Sequence, residues 1–212
     1  MSDVLKTLGE MGVVPVVTIN EPEHAVPVAK ALVAGGLPAA EITFRTAAAE
    51  EGIRLAAAAV PEALLGAGTV LNIEQARRAV AAGARFLVAP GLNPEVVRCA
   101  RELGVPMLPG VCTPTDIEAA MGLGLEVLKF FPAEAMGGVK MIKALAAPYR
   151  SVKFVPTGGI SPGNLADYLA LSSVHACGGS WLVKGDRVAA GDFQAITDTA
   201  RAAVDAVKQA RA

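Results

Sequence analysis

Residues 13–44 read VVPVVTINEPEHAVPVAKALVAGGLPAAEITF, and this stretch holds one complete strand–helix–strand repeat. The run 13–19 is apolar almost throughout, 24–35 carries helical periodicity, and 39–44 is apolar again except at Glu41 and Thr43. Apolar runs without clean alternation mean burial on both faces, as in parallel strands covered by helices. Gly35 closes the helical segment, where a C-cap wants a left-handed residue.

The same unit recurs along the chain. Strand-like runs follow at 63–68 (ALLGAG), 85–89 (RFLVA), 105–110 (VPMLPG), 126–131 (EVLKFF), 152–157 (VKFVPT) and 174–179 (VHACGG). Helical periodicity fills 48–60, 73–83 and 93–104, and the last two segments end in Gly83 and Gly104. Eight such repeats predict an α/β fold, a single-domain (βα)8 TIM barrel over residues 1–212 with an extra N-terminal helix. An open doubly wound sheet is the alternative.

The chain has 212 residues, 53% of them hydrophobic, with 19 basic and 20 acidic side chains. A net charge of −1 leaves no basic footprint for nucleic acid, so the expected partner is a small molecule or another copy of the chain. Cys99, Cys112 and Cys177 are scattered, without metal or disulfide spacing, and read as reduced thiols in a cytoplasmic protein. The segment MSDVLKTLGEMG lacks the pattern of a signal peptide, and no run is long and apolar enough to span a membrane.

In a barrel of this kind the C-terminal strand ends carry the chemistry. Three of them break the apolar rule. The second strand ends Glu41-Ile42-Thr43-Phe44-Arg45, and alternation puts Glu41, Thr43 and Arg45 on one face. They form either a structural Glu–Arg pair or a proton shuttle beside an anion clamp, for which the planar guanidinium is suited. The sixth strand carries Lys129 between Leu128 and two phenylalanines. Apolar walls and a nearby Arg45 would favour the neutral amine that attacks carbonyls, whereas a close Glu41 would favour the ammonium form. A lysine snorkelling to solvent is the plain alternative. The third feature is Pro156-Thr157-Gly158-Gly159-Ile160 together with Gly178-Gly179-Ser180-Trp181. Paired glycines let backbone N–H groups approach an anion, and loops after the last two strands are the usual phosphate site of this fold. Ser161-Pro162 reads as a helix start that would add its positive end.

Other residues carry less. Thr69 after Gly66-Ala67-Gly68 faces the mouth or forms a tight turn, and Pro90-Gly91 and Pro109-Gly110 are turn chemistry. His24 reads as a surface or capping residue, and His175 lies at the N-terminal end of the eighth strand, away from the site. With no His–acid cluster, no metal and no cofactor is expected. Trp181 either walls the phosphate pocket or simply packs.

Taken in order, E-I-T-F-R, G-A-G-T-V, the two P-G pairs, K-F-F-P-A-E with G-G behind it, P-T-G-G-I, G-G-S-W and A-G-D-F resemble the 2-dehydro-3-deoxy-6-phosphogluconate aldolases, grouped with the 4-hydroxy-2-oxoglutarate aldolases. The resemblance runs from about Val13 to Trp181 and on into 190–193. It implies a metal-free class I aldolase of the Entner–Doudoroff type on a (βα)8 barrel, a cytoplasmic homotrimer. Its substrates would be pyruvate, glyceraldehyde 3-phosphate and 2-keto-3-deoxy-6-phosphogluconate, or the galactonate epimer or 4-hydroxy-2-oxoglutarate. By matching motif, the resemblance makes Lys129 the Schiff-base lysine and Glu41 the acid/base. It gives Arg45, Thr69 and Thr157 to the pyruvoyl part, Pro90 and Phe131 to the pocket walls, and Gly158, Gly159, Gly179 and Ser180 to the phosphate loops. Residues 110–114 (GVCTP) fit the pattern more loosely, and Cys112 receives no role. Outside the aldolases, a non-covalent sugar-phosphate isomerase or a sugar-phosphate sensor would use the same phosphate loops.

Overall fold

The computed structural model describes residues 2–211. Helix α1 (Asp3–Met11) starts on the Ser2 side chain, which accepts from the Leu5 N–H, and ends on Gly12 at φ 70°. Then come β1 (Val13–Val17), α2 (Ala25–Ala34), β2 (Ala39–Thr43), α3 (Ala49–Ala59), β3 (Leu64–Gly68) and α4 (Ile73–Ala81). The chain continues through β4 (Leu87–Val88), α5 (Pro94–Glu102), β5 (Met107–Leu108), β6 (Gly110–Val111), α6 (Pro114–Gly122) and β7 (Val127–Phe130). It closes with α7 (Gly138–Ala146), β8 (Lys153–Pro156), α8 (Leu165–Leu169), β9 (Cys177–Gly179), α9 (Gly185–Ala189) and α10 (Phe193–Arg211).

The strands pair in parallel in the order β5-β4-β3-β2-β1-β9, with a second group β6-β7-β8. Parallel bridges join Phe154 to Val174 and Thr157 to Gly178, linking the β8 side to the β9 side. The predicted strand 105–110 is divided at Pro109, which has no N–H for the ladder. Its carbonyl still accepts from the Lys129 N–H at 2.9 Å. The predicted strand 85–89 likewise keeps only Leu87 and Val88 as strand.

The strands β1, β2 and β3 are buried at every position, as their apolar character predicts, and the two polar residues of β2, Glu41 and Thr43, are buried with the rest. One side chain set, including Val14, Ala39, Leu64, Phe86, Leu108, Val127 and Val155, meets in a single cluster. Residues from so many strands can converge only if the sheet curls round them. Leu8 of α1 is 1% exposed in the same cluster and plugs its lower end. The other set (Val13, Val17, Ala40, Ile42, Leu65, Leu128, Phe154) packs under the helices. The helix starts follow local chemistry: Asn72 and Asn93 cap α4 and α5, and Thr113 with Asp116 forms a capping box on α6.

One predicted C-cap shifts by a residue. Gly35 is right-handed at φ −80°, and Gly36 at φ 80° takes the left-handed turn. Gly35 is small for another reason: a Cβ there would stand 2.6 Å from Ala200 Cβ and 2.7 Å from the Thr197 carbonyl of α10. Gly83 and Gly104 are left-handed as read. No helix among the described residues is long and apolar enough to cross a membrane.

Candidate active site

Alternation along each strand carries the inward face from the apolar cluster up to polar residues at the C-terminal ends. On β2 it runs Ala39, Glu41, Thr43, and on β7 it runs Val127, Lys129, with Phe131 following just past the strand. Glu41 and Lys129 are each 3% exposed, and Lys129 Nζ stands 3.4 Å from Glu41 Oε1. The amine also lies 5.3 Å from the centroid of the Phe131 ring. Gly68 makes this possible, because a Cβ at that position would overlap the Glu41 carboxylate. Two charges held out of water need each other: removing one partner of such a pair commonly costs about 3–5 kcal/mol. A carboxylate this close to a primary amine is also placed to exchange a proton with it.

Arg45 does not pair with Glu41, and the reading of a Glu–Arg pair closing the strand ends fails. Strand β2 stops at Thr43, the Phe44 N–H goes to the Gly68 carbonyl at 2.7 Å, and the turn carries Arg45 into the exposed rim. There Arg45 Nε donates to Thr69 Oγ1 at 3.1 Å. Thr69 itself has φ 57°, a left-handed conformation that costs a non-glycine residue about 1–3 kcal/mol. Thr43, which shares the inward face with Glu41, is buried and bonds to Thr18 Oγ1 at 2.9 Å and to the Val17 carbonyl at 3.1 Å. It ties β2 to β1. The snorkelling alternative for Lys129 fails as well, since the amine ends in the buried pair.

The glycine loops lie beside this pair. Thr157 is 8% exposed and its side chain occupies the space left open by Gly178, where a Cβ would overlap it. Gly158 and Gly159 have φ 100° and 83°, so neither position accepts an ordinary side chain without strain. The helix expected at Ser161-Pro162 begins only at Leu165. The Ser161 N–H is taken by Asn164 Oδ1 at 2.8 Å, and Asn164 Nδ2 donates to the Gly159 carbonyl at 3.0 Å. The loop is therefore closed by a side chain in place of a helix end. Ser180 is exposed at the start of a short 3-10 turn. Trp181 packs on Gly179, which has no Cβ to obstruct it, and its outer side faces Lys184, Arg187 and α10.

A family model described as "Aldolase: KDPG and KHG aldolase" matches residues 4–199. The chain belongs to the KDPG and KHG aldolase family. The KHG/KDPG aldolase of Escherichia coli (strain K12) is 52% identical over 196 residues, covering 92% of each chain. The solved KDPG aldolase of Legionella pneumophila, with pyruvate captured at low pH as a covalent carbinolamine intermediate, superposes with a TM-score of 0.91 at 38% identity. It covers 95% of this chain and 98% of that one. The 2-keto-3-deoxy-6-phosphogluconate aldolase of Zymomonas mobilis ZM4 with 3-phosphoglycerate gives a TM-score of 0.87 at 40% identity, covering 94% of each chain.

The remaining positions of this KDPG/KHG-family chain divide in two. Pro90 and Phe131 line an open cavity of about 340 Å³ beside the site, with Gly91, Leu92, Gly110 and Cys112. Gly110 is forced, since a Cβ there would overlap the Pro90 carbonyl. Burial pushes the Cys112 thiol up, and the neighbouring Asp116 charge adds to it, so the thiol stays protonated. Burial works against the Asp116 charge, but N–H and hydroxyl donors from Cys112 and Thr113 outweigh it and hold the carboxyl below its usual range. His24 caps nothing: it ends a short 3-10 turn without a side-chain cap bond. His175 is remote as expected, its Nε2 lying 2.7 Å from the Leu5 carbonyl of α1. Among the described residues no group of three His, Cys, Asp or Glu side chains could hold a metal ion. A cavity of about 490 Å³ lined by Lys143, Arg150 and Lys153 lies away from every strand-end residue named above.

Sequence reading missed Gly68 and Gly178 as clearances. The register pairs Thr43 with Gly68 on the inward face, so a small residue there was legible in principle once Glu41 was placed inward.

Proposed function

We propose that the chain is a Schiff-base-forming, class I aldolase that reversibly cleaves 2-dehydro-3-deoxy-6-phosphogluconate to pyruvate and glyceraldehyde 3-phosphate. The buried Lys129–Glu41 pair at the C-terminal strand ends carries this reading. Lys129 attacks the C2 ketone to give a carbinolamine, and loss of water gives an iminium. Glu41 takes the proton of the C4 hydroxyl while the C3–C4 electrons flow into the iminium, so the aldehyde leaves and an enamine remains. Protonation at C3 and addition of water release pyruvate and the free amine. The adjacency of amine and carboxylate supports this sharing of protons.

Arg45 meets the substrate carboxylate with its planar fork, from a rim position where Thr69 orients it. Thr157 faces the pyruvoyl part, and Pro90 and Phe131 wall the pocket. The backbone N–H groups of Gly158, Gly159 and Gly179, with the Ser180 hydroxyl, take the distant phosphate. That remote binding holds the reacting carbons in position. The chemistry calls for no metal or other cofactor, because the iminium is itself the electron sink. The double name of the Escherichia coli relative favours 4-hydroxy-2-oxoglutarate as a second substrate.

We further infer that the curled sheet is a closed (βα)8 barrel formed by one domain over 1–212, with β5 and β6 counted as one strand. The bridges between the β8 and β9 sides support the closure. The three free cysteines fit a cytoplasmic site of action, and the family resemblance supports a homotrimer.

Borohydride reduction in the presence of pyruvate, followed by peptide mass spectrometry, tests the central step. The expected result is a pyruvate-derived mass on Lys129 that disappears in Lys129→Ala. No adduct on the folded protein would favour a non-covalent isomerase or sensor, and an adduct on another lysine would overturn the site.

A further inference from the structure

The glycine loop is gripped from the side of β7 by a residue that the chemistry above does not use. Ala133 N–H donates to the Thr157 carbonyl at 2.8 Å, and Glu134 N–H donates to the Gly158 carbonyl at 3.0 Å. The Glu134 side chain then lies flat against Gly159, so that a Cβ on Gly159 would stand 2.5 Å from Glu134 Cγ. Beyond that contact its Oε1 accepts a hydrogen bond from the hydroxyl of Tyr168. Tyr168 belongs to α8 and is fully buried, whereas Glu134 is otherwise exposed. The first residue of α7 leaves room for this bond: a Cβ on Gly138 would stand 2.9 Å from both Glu134 Oε1 and Tyr168 Oη.

One exposed carboxylate thus touches the loop after β8, the start of α7 and the buried face of α8. A negative charge beside an anion-binding loop works against phosphate, so a carboxylate kept there calls for a structural use that offsets the repulsion. We propose that Glu134, tethered by Tyr168, is the positioning residue that sets the Gly158–Gly159 loop for the substrate's phosphate.

The proposal rests on the reading of that loop as the phosphate site. The tether supplies the structural use: it fixes where Glu134 Cγ lies and thereby where Gly159 can sit. Asn164 holds the same loop through the Gly159 carbonyl. With both braces in place the loop N–H groups are set before the ligand arrives, and little ordering cost is left for binding. The direction of the tether is fixed as well. Burial, followed by the Glu134 bond and charge, pushes the Tyr168 phenol far up, so it remains the donor throughout the working pH range.

The experiment compares two reactions of the full-length enzyme: cleavage of the phosphorylated substrate, and solvent deuterium exchange into the methyl group of pyruvate, which carries no phosphate. Tyr168→Phe keeps the buried ring and removes only the hydroxyl, so folding is preserved. It is expected to raise KM for the phosphorylated substrate about five- to tenfold, less than the full worth of one hydrogen bond to a charged group because the bond acts on the phosphate only through the loop, with kcat and pyruvate exchange changed less than about twofold. Glu134→Ala should behave alike, and Glu134→Gln, which keeps an acceptor for Tyr168, should recover most of the affinity. An unchanged KM in both Tyr168→Phe and Glu134→Ala overturns the proposal. An equal loss in exchange and cleavage also overturns it, because the pair would then support the whole site and not the phosphate loop. The underlying phosphate reading is judged separately on the unaltered enzyme. If that enzyme binds phosphorylated and unphosphorylated substrates equally, the phosphate site itself fails before any variant is considered.

Discussion

At Thr69 a hydroxyl that receives a bond from Arg45 stands on a backbone that favours glycine, with φ 57°. Strain of this kind persists where the surroundings over-determine it, and it clusters at working sites. Thr69→Gly is expected to leave stability unchanged or raise it by about 1 kcal/mol, while KM for pyruvate in methyl exchange rises about tenfold as Arg45 loses its partner. Chemical denaturation and exchange kinetics on the same preparation would test both halves. A clear loss of stability would mean that the threonine conformation is not strained. The candidate catalytic pair was legible at this scale because charged residues in apolar strands are conspicuous. Their pairing was not: Glu41 and Lys129 lie 88 residues apart, and Arg45, only four residues from Glu41, looked the nearer partner.

Helix α1 is attached to the sheet at the end remote from the site, and the attachment is expected to depend on pH. His175 Nε2 meets the Leu5 carbonyl, its ring fills the space beside Gly9, and Arg211 of α10 reaches the Gly9 and His175 carbonyls at 2.6 and 2.8 Å. Burial, outweighing the bond to Leu5, lowers the His175 ring below its ordinary value of 6.5, and the charges of Arg211 and Lys153 act in the same direction. A group whose folded value is depressed is neutral when buried, so the unfolded chain binds the extra proton. Its contribution is fully present above about pH 6.5 and is lost as pH falls below it. The thermal midpoint is therefore expected to drop between about pH 7.5 and 5.5, and His175→Gln should flatten that slope. An identical slope in the variant would assign the effect to other groups. The helices were read from their periodicity and from Gly83 and Gly104 at their ends, and the N-caps Asn72, Asn93 and Thr113, which the reading did not use, act through neighbours three or fewer residues away. The helix read at Ser161 was misplaced because Asn164 takes the N–H of Ser161.

For the whole molecule, the proposed trimer predicts a mass near three times 21.6 kDa in sedimentation or light scattering at micromolar concentration. A particle of 21.6 kDa would remove the trimer while leaving the site untouched. Leu71 and Met121 are large apolar side chains at 50% and 39% exposure.

The apolar runs, the glycine pairs and the charged strand ends were legible in the chain by itself, because strand burial, turns and caps are decided by residues within a few positions of one another. Periodicity was enough to set parallel strands under helices, while charge inside apolar strands singled out Lys129 and Glu41 and paired glycines singled out the loops at 158–159 and 178–180. Tertiary structure decided the rest. It divided one strand at Pro109, turned Arg45 outward to Thr69, set Glu41 against Lys129 across the space left by Gly68, and brought Glu134 to Tyr168. Each of these depends on distance through space between residues far apart in sequence. A clearance of one missing Cβ, or a hydrogen bond between a loop and a helix 34 residues on, has no local pattern to announce it.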